Sequence, residues 1–386
     1  MWLVVPTVRV LTANPGSSSL KLALVASGRR LDERVLSGWD GALHHGLLAE
    51  LGARWAPLDA IGVRFVHGGD RAHAVRLTDA ELADLDRLVP LAPLHQPRSL
   101  ALARRARAAL PGLPTVGCFD TSFHAGLPER ARRYALPAEW VRTYRLRRYG
   151  FHGLSCAHAV RRTAELLAAE PGTLRMLCCH MGAGVSVTAV DGGRSVDTSM
   201  GFTPLEGAVM ATRSGTVDPG LLVRLLDLGA ADPAELGRAL EHRSGLAGMT
   251  GTGGDVRDVL AARASGDREA RVAIEVYLHR LRRELAAATV SLDRLDAVAF
   301  TGGVAEHQPD LLAELADGLA PLGVRVDAAR LHRPGDRVIS PDRDGVRVLA
   351  LTAQEDLEIA RQAELVLGRR SHRSPALHRP AVGGPP

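Results

Sequence analysis

The order of strand-like and helical segments occurs twice along this chain, which restricts the folds that it can adopt. Each half opens with three strand-like segments, TVRVLTA, LKLALVAS and LDERVLSG in the first half and TLRMLCCHM, GVSVTAV and RSVDTS in the second. Helical and strand-like segments alternate after each group of three. The repeat predicts an α/β protein with two copies of one sheet-and-helix core. A cleft between two such cores is the expected position of a functional site.

Helix start signals support this division. Thr78 and Glu81 have the spacing of a capping box, and Asp218 and Asp232 each precede a proline, as N-cap residues often do. A long helical pattern covers residues 271–288, and the buried-strand pattern AVAFTGG follows it. Both halves are therefore expected to continue as alternating helices and strands.

The composition is that of a globular protein with enough apolar residues for two cores. The chain has 386 residues, 46% of them hydrophobic, and its 48 basic and 43 acidic residues give a net charge of +5. Lys21 is the only lysine, the arginines are distributed along the whole chain, and aromatic residues make up 4%. A nucleic-acid-binding protein instead concentrates its positive charge on one surface. No nucleic-acid partner is expected.

Cysteine usage and hydropathy predict a soluble cytoplasmic protein. The four cysteines show no CxxC spacing and no disulfide framework, which is typical of reduced thiols. No apolar run approaches the roughly 18 residues that a membrane span requires. The N-terminal segment also lacks the basic region and small-residue cleavage site of a signal peptide. Neither disulfide bonds nor a membrane partner are expected.

Four glycine-rich segments follow strand-like segments: NPGSSSLK, HMGAGVS, GTGG and FTGGVAE. Small residues at strand ends let backbone N–H groups point at phosphate oxygens, and hydroxyl groups add further donors. A single segment of this kind is more often an ordinary hairpin, but four in one chain favour phosphate binding. The Walker A pattern GxxxxGK[ST] and a GxGxxG after a strand are both missing from the sequence.

Polar residues near these segments are of the types that phosphoryl transfer requires. Arg64 and Arg213 could neutralise developing negative charge, Asp120 directly follows an apolar strand, and His152 lies between Phe151 and a glycine. Taken singly, each has an ordinary structural interpretation: a surface arginine, a turn-forming aspartate or a buried structural histidine.

Nine short motifs follow one another along the chain: NPGSSSLK, RFVHGG, APLHQP, FDTSFH, YGFHG, DTSMGFTPLEG, TRSGTVDP, GGDVRD and FTGGVAE. In this order they resemble the acetate kinase family of short-chain carboxylate kinases, over about residues 8–365. The segment DTSMGFTPLEG, followed by TRSG, is long enough to make the resemblance specific.

The resemblance implies the two-domain sugar kinase, Hsp70 and actin superfold, with a duplicated ribonuclease H-like core, an active site in the interdomain cleft, and a homodimer. The implied first domain contains residues 1–123 and a returning C-terminal helix in 356–368. The implied second, nucleotide-binding domain contains residues 124–355. The remaining segment, 369–386, is rich in proline, glycine and arginine, a composition that predicts a disordered tail.

The resemblance also implies roles for individual residues. Arg64 and Arg213 match the two arginines that bracket the carboxylate and the transferring phosphoryl group. His152 matches a histidine that stabilises the transition state, and Asp120 an aspartate that orients substrate and metal. The positions associated with magnesium are Asn14 and Glu355.

Two binding regions are implied in the same way. The implied acid pocket consists of Val66, Leu94, His95, Phe151 and Pro204. The implied nucleotide and phosphate positions are Ser17, Ser19, Lys21, His180, Gly182, Ala183, Gly184, Asp255, Val256, Arg257, Gly302, Gly303, Val304, Ala305 and His307.

Four positions depart from the family's usual pattern. Ala183 stands where HLGNG has asparagine, and residues 304–307 differ from GIGEN. Thr216 stands where aspartate is common, and Cys156 where GFHGTSH has its second histidine. Loss of the asparagine amide removes a hydrogen-bond donor near the phosphates, worth about 1–3 kcal/mol for a buried bond. The first two departures leave the phosphoryl donor open.

Together these implications predict a reversible, in-line transfer of a phosphoryl group from ATP to acetate, with Mg²⁺, or Mn²⁺ in its place. A propionate or butyrate kinase is the first alternative, because one methylene in an apolar pocket is worth only about 1–3 kcal/mol. A kinase that uses pyrophosphate or another donor is the second. The alternative from a different class is a catalytically weak nucleotide-binding relative on the same superfold.

Overall fold

Two mixed six-stranded sheets form the framework of the protein. The computed structural model describes residues 7–16, 19–42, 46–342 and 345–368. Ser17 and the predicted tail 369–386 lie outside these ranges. Helices flank both sheets, so the expected two-domain α/β architecture is confirmed.

The first sheet begins with the predicted three-stranded meander. Its strands are β1 (Arg9–Pro15), β2 (Ser19–Ala26), β3 (Arg29–Ser37), β4 (Ala60–Phe65), β5 (Val75–Arg76) and β6 (Thr115–Phe119). Their spatial order is β3-β2-β1-β4-β6-β5. Strands β1, β4 and β6 run parallel, so their carboxyl ends meet at one edge of the sheet.

The second sheet repeats this topology strand for strand. Its strands are β7 (Arg175–Met181), β8 (Val185–Asp191), β9 (Arg194–Thr198), β10 (Ala297–Thr301), β11 (Arg337–Val338) and β12 (Arg347–Leu351). The order is β11-β12-β10-β7-β8-β9, with β7, β10 and β12 parallel. The duplication predicted from the order of segments is therefore confirmed.

The helices connect and cover these strands. They are α1 (Leu47–Arg54), α2 (Asp79–Asp86), α3 (Gln96–Ala109), α4 (Glu129–Arg132), α5 (Ala138–Tyr144), α6 (Gly153–Leu166), α7 (Pro219–Asp227), α8 (Pro233–His242), α9 (Gly245–Thr250), α10 (Val256–Ala264), α11 (Arg268–Thr289), α12 (Gly303–His307), α13 (Pro309–Asp317), α14 (Ala328–Leu331) and α15 (Glu355–Val366). Short 3₁₀ turns cover Val89–Leu91, Asp120–His124, Pro171–Thr173 and Ala320–Leu322.

Helix α15 packs on the first sheet although it follows the last strand of the second. Ile359, Ala360 and Ala363 share a buried cluster with Val10 of β1 and residues of the neighbouring strands. Gly62 of β4 leaves the room for this contact, because a Cβ atom there would lie 2.5 Å from Cγ2 of Ile359. This packing carries Glu355, the first residue of α15, to the edge of the first sheet. The domain boundaries themselves stay a prediction.

The predicted helix caps are present, with one difference. Thr78 accepts a hydrogen bond from the Glu81 backbone N–H, while Asp218 and Asp232 cap α7 and α8. The Glu81 carboxylate does not complete the capping box but forms an ion pair with Arg71. Ion pairing with an arginine has replaced the weaker contact to the backbone.

Two sequence expectations concern cysteines and membranes. Cys118, Cys156, Cys178 and Cys179 are all free and buried. Within the described ranges, no helix combines the length and the apolar character that crossing a membrane requires.

Candidate functional site

Three polar side chains meet around Arg64 where the carboxyl ends of β1, β4 and β6 lie next to the start of α15. Strand alternation places Val63 and Phe65 in the core of the first sheet and Arg64 on its opposite face. The Nε and Nη2 atoms of Arg64 donate to Asp120 over 3.0 and 2.7 Å. Its Nη1 atom donates to Oδ1 of Asn14 over 3.0 Å and to Oε2 of Glu355 over 2.8 Å.

Burial and charge set the protonation states in this cluster. Burial raises the pKa of Asp120 to about 6, although the neighbouring Arg64 lowers it. Burial also acts to raise the pKa of Glu355, but Arg64, His180 and Asn14 outweigh it, so this pKa falls below its ordinary value. At neutral pH the cluster therefore holds one guanidinium group against two carboxylates and has a surplus of negative charge.

These residues fit a magnesium ion. Asn14, Asp120 and Glu355 offer amide and carboxylate oxygens, the hard ligands that Mg²⁺ prefers, and sites of this kind commonly combine one or two carboxylates with substrate phosphates. Nδ2 of Asn14 donates to Glu355 over 2.8 Å, which holds both side chains at this sheet edge. Lys21 is the cross-strand partner of Asn14. Among the described residues, no group of three or more His, Cys, Asp and Glu side chains is arranged as a metal site.

Two stacked histidines lie at the start of α6 and the end of β7. His152 caps α6 in the left-handed conformation, with φ 57° and ψ 26°, and its Nδ1 lies 3.0 Å from Oγ of Ser186. Its ring stacks on that of His180, with centroids 4.2 Å apart, and Nδ1 of His180 lies 2.8 Å from Oγ of Ser155. Burial lowers both pKa values, that of His180 to about 4. Both rings are therefore neutral at pH 7.

Arg213 lies near His152 and forms no ion pair with any of the described residues. Its Nη1 donates to the Pro204 carbonyl over 3.4 Å. A Cβ atom at Gly184 would lie 3.2 Å from both Nη1 of Arg213 and Cε1 of His152. The β7–β8 turn therefore lies directly against both side chains. Burial lowers the pKa of Arg213, and the charge of Glu241 offsets this only in part. The guanidinium group is therefore available to pair with an anion.

The implied acid pocket contains apolar residues and a third histidine. Burial lowers the pKa of His95 to about 3, with Arg213 and Arg64 as the next contributors, which places this ring near both guanidinium groups. Leu94 is 39% exposed. Of the implied acid pocket, Pro204 contacts Arg213 and His95 lies within electrostatic range of both arginines. Val66 and Phe151 are buried in one cluster, and Leu94 is at the surface.

The glycine-rich segments of the second half meet at the carboxyl edge of the second sheet. Gly182, Ala183 and Gly184 form the β7–β8 turn, and Gly302 follows the adjacent parallel strand β10. Gly302 has φ 91°, and a Cβ atom there would lie 2.7 Å from the carbonyl oxygen of Met181. Only glycine can therefore bring these two segments so close.

The remaining nucleotide positions in the described structure lie at the start of α10, on α12 and on β2. The carbonyl oxygen of Ala183 accepts a hydrogen bond from the backbone N–H of Ala211. The carbonyl oxygen of Ala211 in turn packs so closely on Gly254 that a Cβ atom there would not fit. This chain of contacts joins the β7–β8 turn to Asp255 at the start of α10. The Asp255 and Arg257 side chains pair with each other over 2.6 Å. Gly303, Val304, Ala305 and His307 lie in α12, Val256 in α10, and Ser19 and Lys21 in β2.

Several residues near the site were not singled out from the sequence. His67 is fully buried, with its ring 4.4 Å from that of Tyr149 and 5.8 Å from that of Phe151. Ser155 and Ser186 orient the two stacked histidines. The motifs RFVHGG and YGFHG contain His67 and Tyr149, so the signal was present, but nothing in the sequence indicates that the two rings touch.

His67 makes the stability dependent on pH. Burial lowers the pKa of His67 to about 4 from an ordinary value of 6.5. Below pH 6.5, His67 binds a proton in the unfolded chain but stays neutral in the folded protein. The free energy of unfolding therefore decreases as the pH falls from 6.5 to 4. One such group contributes up to about 1.4 kcal/mol per pH unit. Urea unfolding of the wild type and of His67→Asn across this range is expected to give a smaller slope for the variant, and equal slopes would contradict the assignment.

The sequence matches one protein family and is similar to several known proteins. The sequence model of the Acetokinase family matches residues 41–361. The chain belongs to the Acetokinase family. The acetate kinase of Leifsonia xyli subsp. xyli is 43% identical over 388 residues, which cover 92% of this chain and 98% of that protein. Acetokinase-family membership confirms the resemblance seen in the motifs and makes the protein a phosphotransferase with a carboxyl group as acceptor.

Solved structures of an acetate kinase and a propionate kinase have the same fold. The Porphyromonas gingivalis acetate kinase is 30% identical, with a TM-score of 0.85, and the match covers 93% of this chain and 100% of that one. A propionate kinase from Francisella tularensis subsp. tularensis SCHU S4 is also 30% identical, with a TM-score of 0.83 and coverage of 92% and 98%. Two acids of different size are therefore named among similar proteins.

Proposed function

We propose that this enzyme is an acetate kinase that transfers the terminal phosphoryl group of ATP to acetate, reversibly, with Mg²⁺. The observation that carries the proposal is the partly buried guanidinium of Arg213, which forms no ion pair within the described part of the chain and lies near His152. A small carboxylate that rests on Val66 and Phe151 would supply the missing negative charge. Arg64 and Arg213 both act electrostatically on His95, which supports a position for the acid between the two arginines.

The chemistry requires positioning and charge neutralisation, without a strong base. A carboxylate already carries its nucleophilic oxygen as an anion, so the enzyme must hold two anions in line and stabilise the charge of the transferring group. Arg213 and Arg64 neutralise that charge from two sides. With Nδ1 accepting from Ser186, the neutral His152 ring keeps an N–H on Nε2 that can donate to an equatorial phosphoryl oxygen. A magnesium ion held by Asn14 and Glu355 would neutralise the donor phosphates.

The second domain would bind the nucleotide. The β7–β8 turn and the Gly302–Gly303 segment meet at one sheet edge and supply backbone N–H groups for phosphates. Asp255, Val256 and Arg257 would lie near adenosine. The exposed Ala183 supplies no side-chain donor at this turn, which favours testing a second phosphoryl donor, pyrophosphate, beside ATP.

Formation of acyl phosphate, trapped as the hydroxamate, tests the proposal. We expect purified enzyme with ATP and Mg²⁺ to phosphorylate acetate with a higher kcat/KM than propionate or butyrate. A preference for propionate would move the assignment to the second acid named among similar proteins, since one methylene changes binding by only about 1–3 kcal/mol. Activity with pyrophosphate alone would reassign the donor. A folded enzyme that is inactive with every acid and both donors would contradict the proposal.

We also propose that the enzyme is a cytoplasmic homodimer. Helix α7 buries none of its residues and exposes Leu221, Val223 and Leu226, with Leu228 directly after it. Exposed apolar side chains clustered on one short helix are typical of a protein–protein contact. A second copy of this helix is the proposed partner. Light scattering at two protein concentrations would measure the oligomeric state.

A further inference from the structure

His124 is a fully buried histidine just outside the catalytic cluster. It ends the 3₁₀ turn Asp120–His124, which follows β6, and none of its surface is exposed. It forms no hydrogen bond with Arg64, Asp120 or His152 in the described structure, so it does not belong to the groups that face the substrates. Its two ring nitrogens instead bind two other segments of the chain.

Both ring nitrogens have well-placed partners. Nε2 lies 3.0 Å from the Phe151 carbonyl oxygen, and Nδ1 lies 2.8 Å from Oγ of Ser195 in β9. Because a carbonyl oxygen can only accept, Nε2 carries the proton and Nδ1 accepts from the Ser195 hydroxyl. Burial lowers the pKa of His124 to about 4, so this neutral tautomer persists at pH 7. The ring therefore joins the 3₁₀ turn to the turn before α6 and to the second sheet.

The turn before α6 needs such support. Gly150 has φ 73° and His152 has φ 57°, and a left-handed non-glycine residue persists only where its surroundings enforce it. The His124 ring packs directly on Gly150, where a Cβ atom would lie 2.6 Å from Cγ of His124. The same ring holds the carbonyl of Phe151, between these two residues. The positions of Phe151, part of the proposed acid pocket, and of His152, which faces the phosphoryl group, thus depend on the His124 side chain.

We propose that His124 is a positioning residue for phosphoryl transfer, which fixes the Phe151–His152 turn through its Nε2–H and is itself oriented by Ser195. The inference rests on the proposed function, because the turn matters for turnover only if Phe151 and His152 face the acid and the phosphoryl group. The implied nucleotide positions lie on other segments, and among them His180 contacts this turn through its stacking on His152. The effects of losing His124 should therefore fall mainly on the acid and on kcat.

His124→Leu and His124→Gln separate positioning from packing. Leucine fills the space without a donor, whereas the glutamine amide can place an N–H close to the position of Nε2. We expect His124→Leu to lower kcat/KM for acetate by about 10²-fold, the effect of a displacement of about 1 Å at a reacting group. We expect His124→Gln to stay within about tenfold of the wild type, and the KM for ATP to be unchanged in both.

The possible results separate the two proposals. Equal losses in the leucine and glutamine variants, or a loss that appears mainly in the KM for ATP, would overturn the positioning role. If His124→Leu fails to fold, Ser195→Ala replaces it: we expect a threefold to tenfold loss in kcat/KM for acetate, on the order expected for one neutral hydrogen bond, and no loss would overturn the role. An inactive wild type would overturn both proposals, whereas an active wild type with an equally active, folded His124→Leu would overturn only this one.

Discussion

Replacing Arg213 by alanine is expected to lower kcat by about 10³-fold or more, as for other arginines that stabilise charge in phosphoryl transfer. The guanidinium lies next to His152 across the Gly184 turn and has only weak contacts with Pro204 and Met210. Its role in the fold is therefore small. Since burial already disfavours its charge, the free energy of unfolding is expected to stay constant or to increase in Arg213→Ala.

Steady-state kinetics and urea unfolding of the same preparations would measure both effects. Arg87→Ala is the matched control, because this side chain is 75% exposed and pairs with Asp84 at the surface. Arg213→Lys retains the charge but loses the forked geometry, so an intermediate kcat is expected. A loss below tenfold in Arg213→Ala would remove this arginine from the mechanism.

Replacing Arg64 by alanine is expected to damage both activity and stability. The kcat is expected to fall by about 10³-fold for the same electrostatic reason. In addition, Asp120 and Glu355, whose side chains are 1% and 10% exposed, lose their common counter-ion. Removing one partner of a buried ion pair costs about 3–5 kcal/mol of unfolding free energy. Protonation relieves the repulsion, so the variant should be more stable at pH 6 than at pH 8.

A double variant distinguishes the two effects of Arg64. Arg64→Ala with Asp120→Asn removes one of the uncompensated carboxylates, so part of the lost unfolding free energy should return while kcat stays low. Denaturant unfolding at both pH values and kinetics at saturating substrate would measure this. If activity returned together with stability, Arg64 would be a structural residue and its role in charge neutralisation would be wrong.

Local patterns were sufficient to predict the elements of the fold. The duplicated meander depends on alternation and turn residues within each segment, and the caps at Thr78, Asp218 and Asp232 depend on neighbours two or three residues away. The Glu81 side chain was the exception, because its partner Arg71 competes from outside the helix. No local pattern indicates that α15, which follows the last strand of the second sheet, packs on the first sheet.

The arrangement of the site was harder to predict from the sequence, because its contacts join residues that are far apart along the chain. Asn14 and Glu355 are hydrogen-bonded across 341 residues, and only the resemblance between motifs paired them. The resemblance named Arg64 and Asp120 separately, but their bidentate contact required the parallel order of β4 and β6. His124 was overlooked although FDTSFH contains it, because both of its partners come from segments that the chain reaches later.

The position of α15 also determines when the protein can finish folding during its synthesis. The strands of the first sheet leave the ribosome early, but the part of its face that α15 covers stays exposed until residues 355–366 have been made. Domains normally fold as units, beginning with the N-terminal one, and exposed apolar surfaces of incomplete units aggregate. The nascent chain therefore carries an apolar sheet face through most of its translation, and a premature stop before Glu355 would lose solubility and the site together.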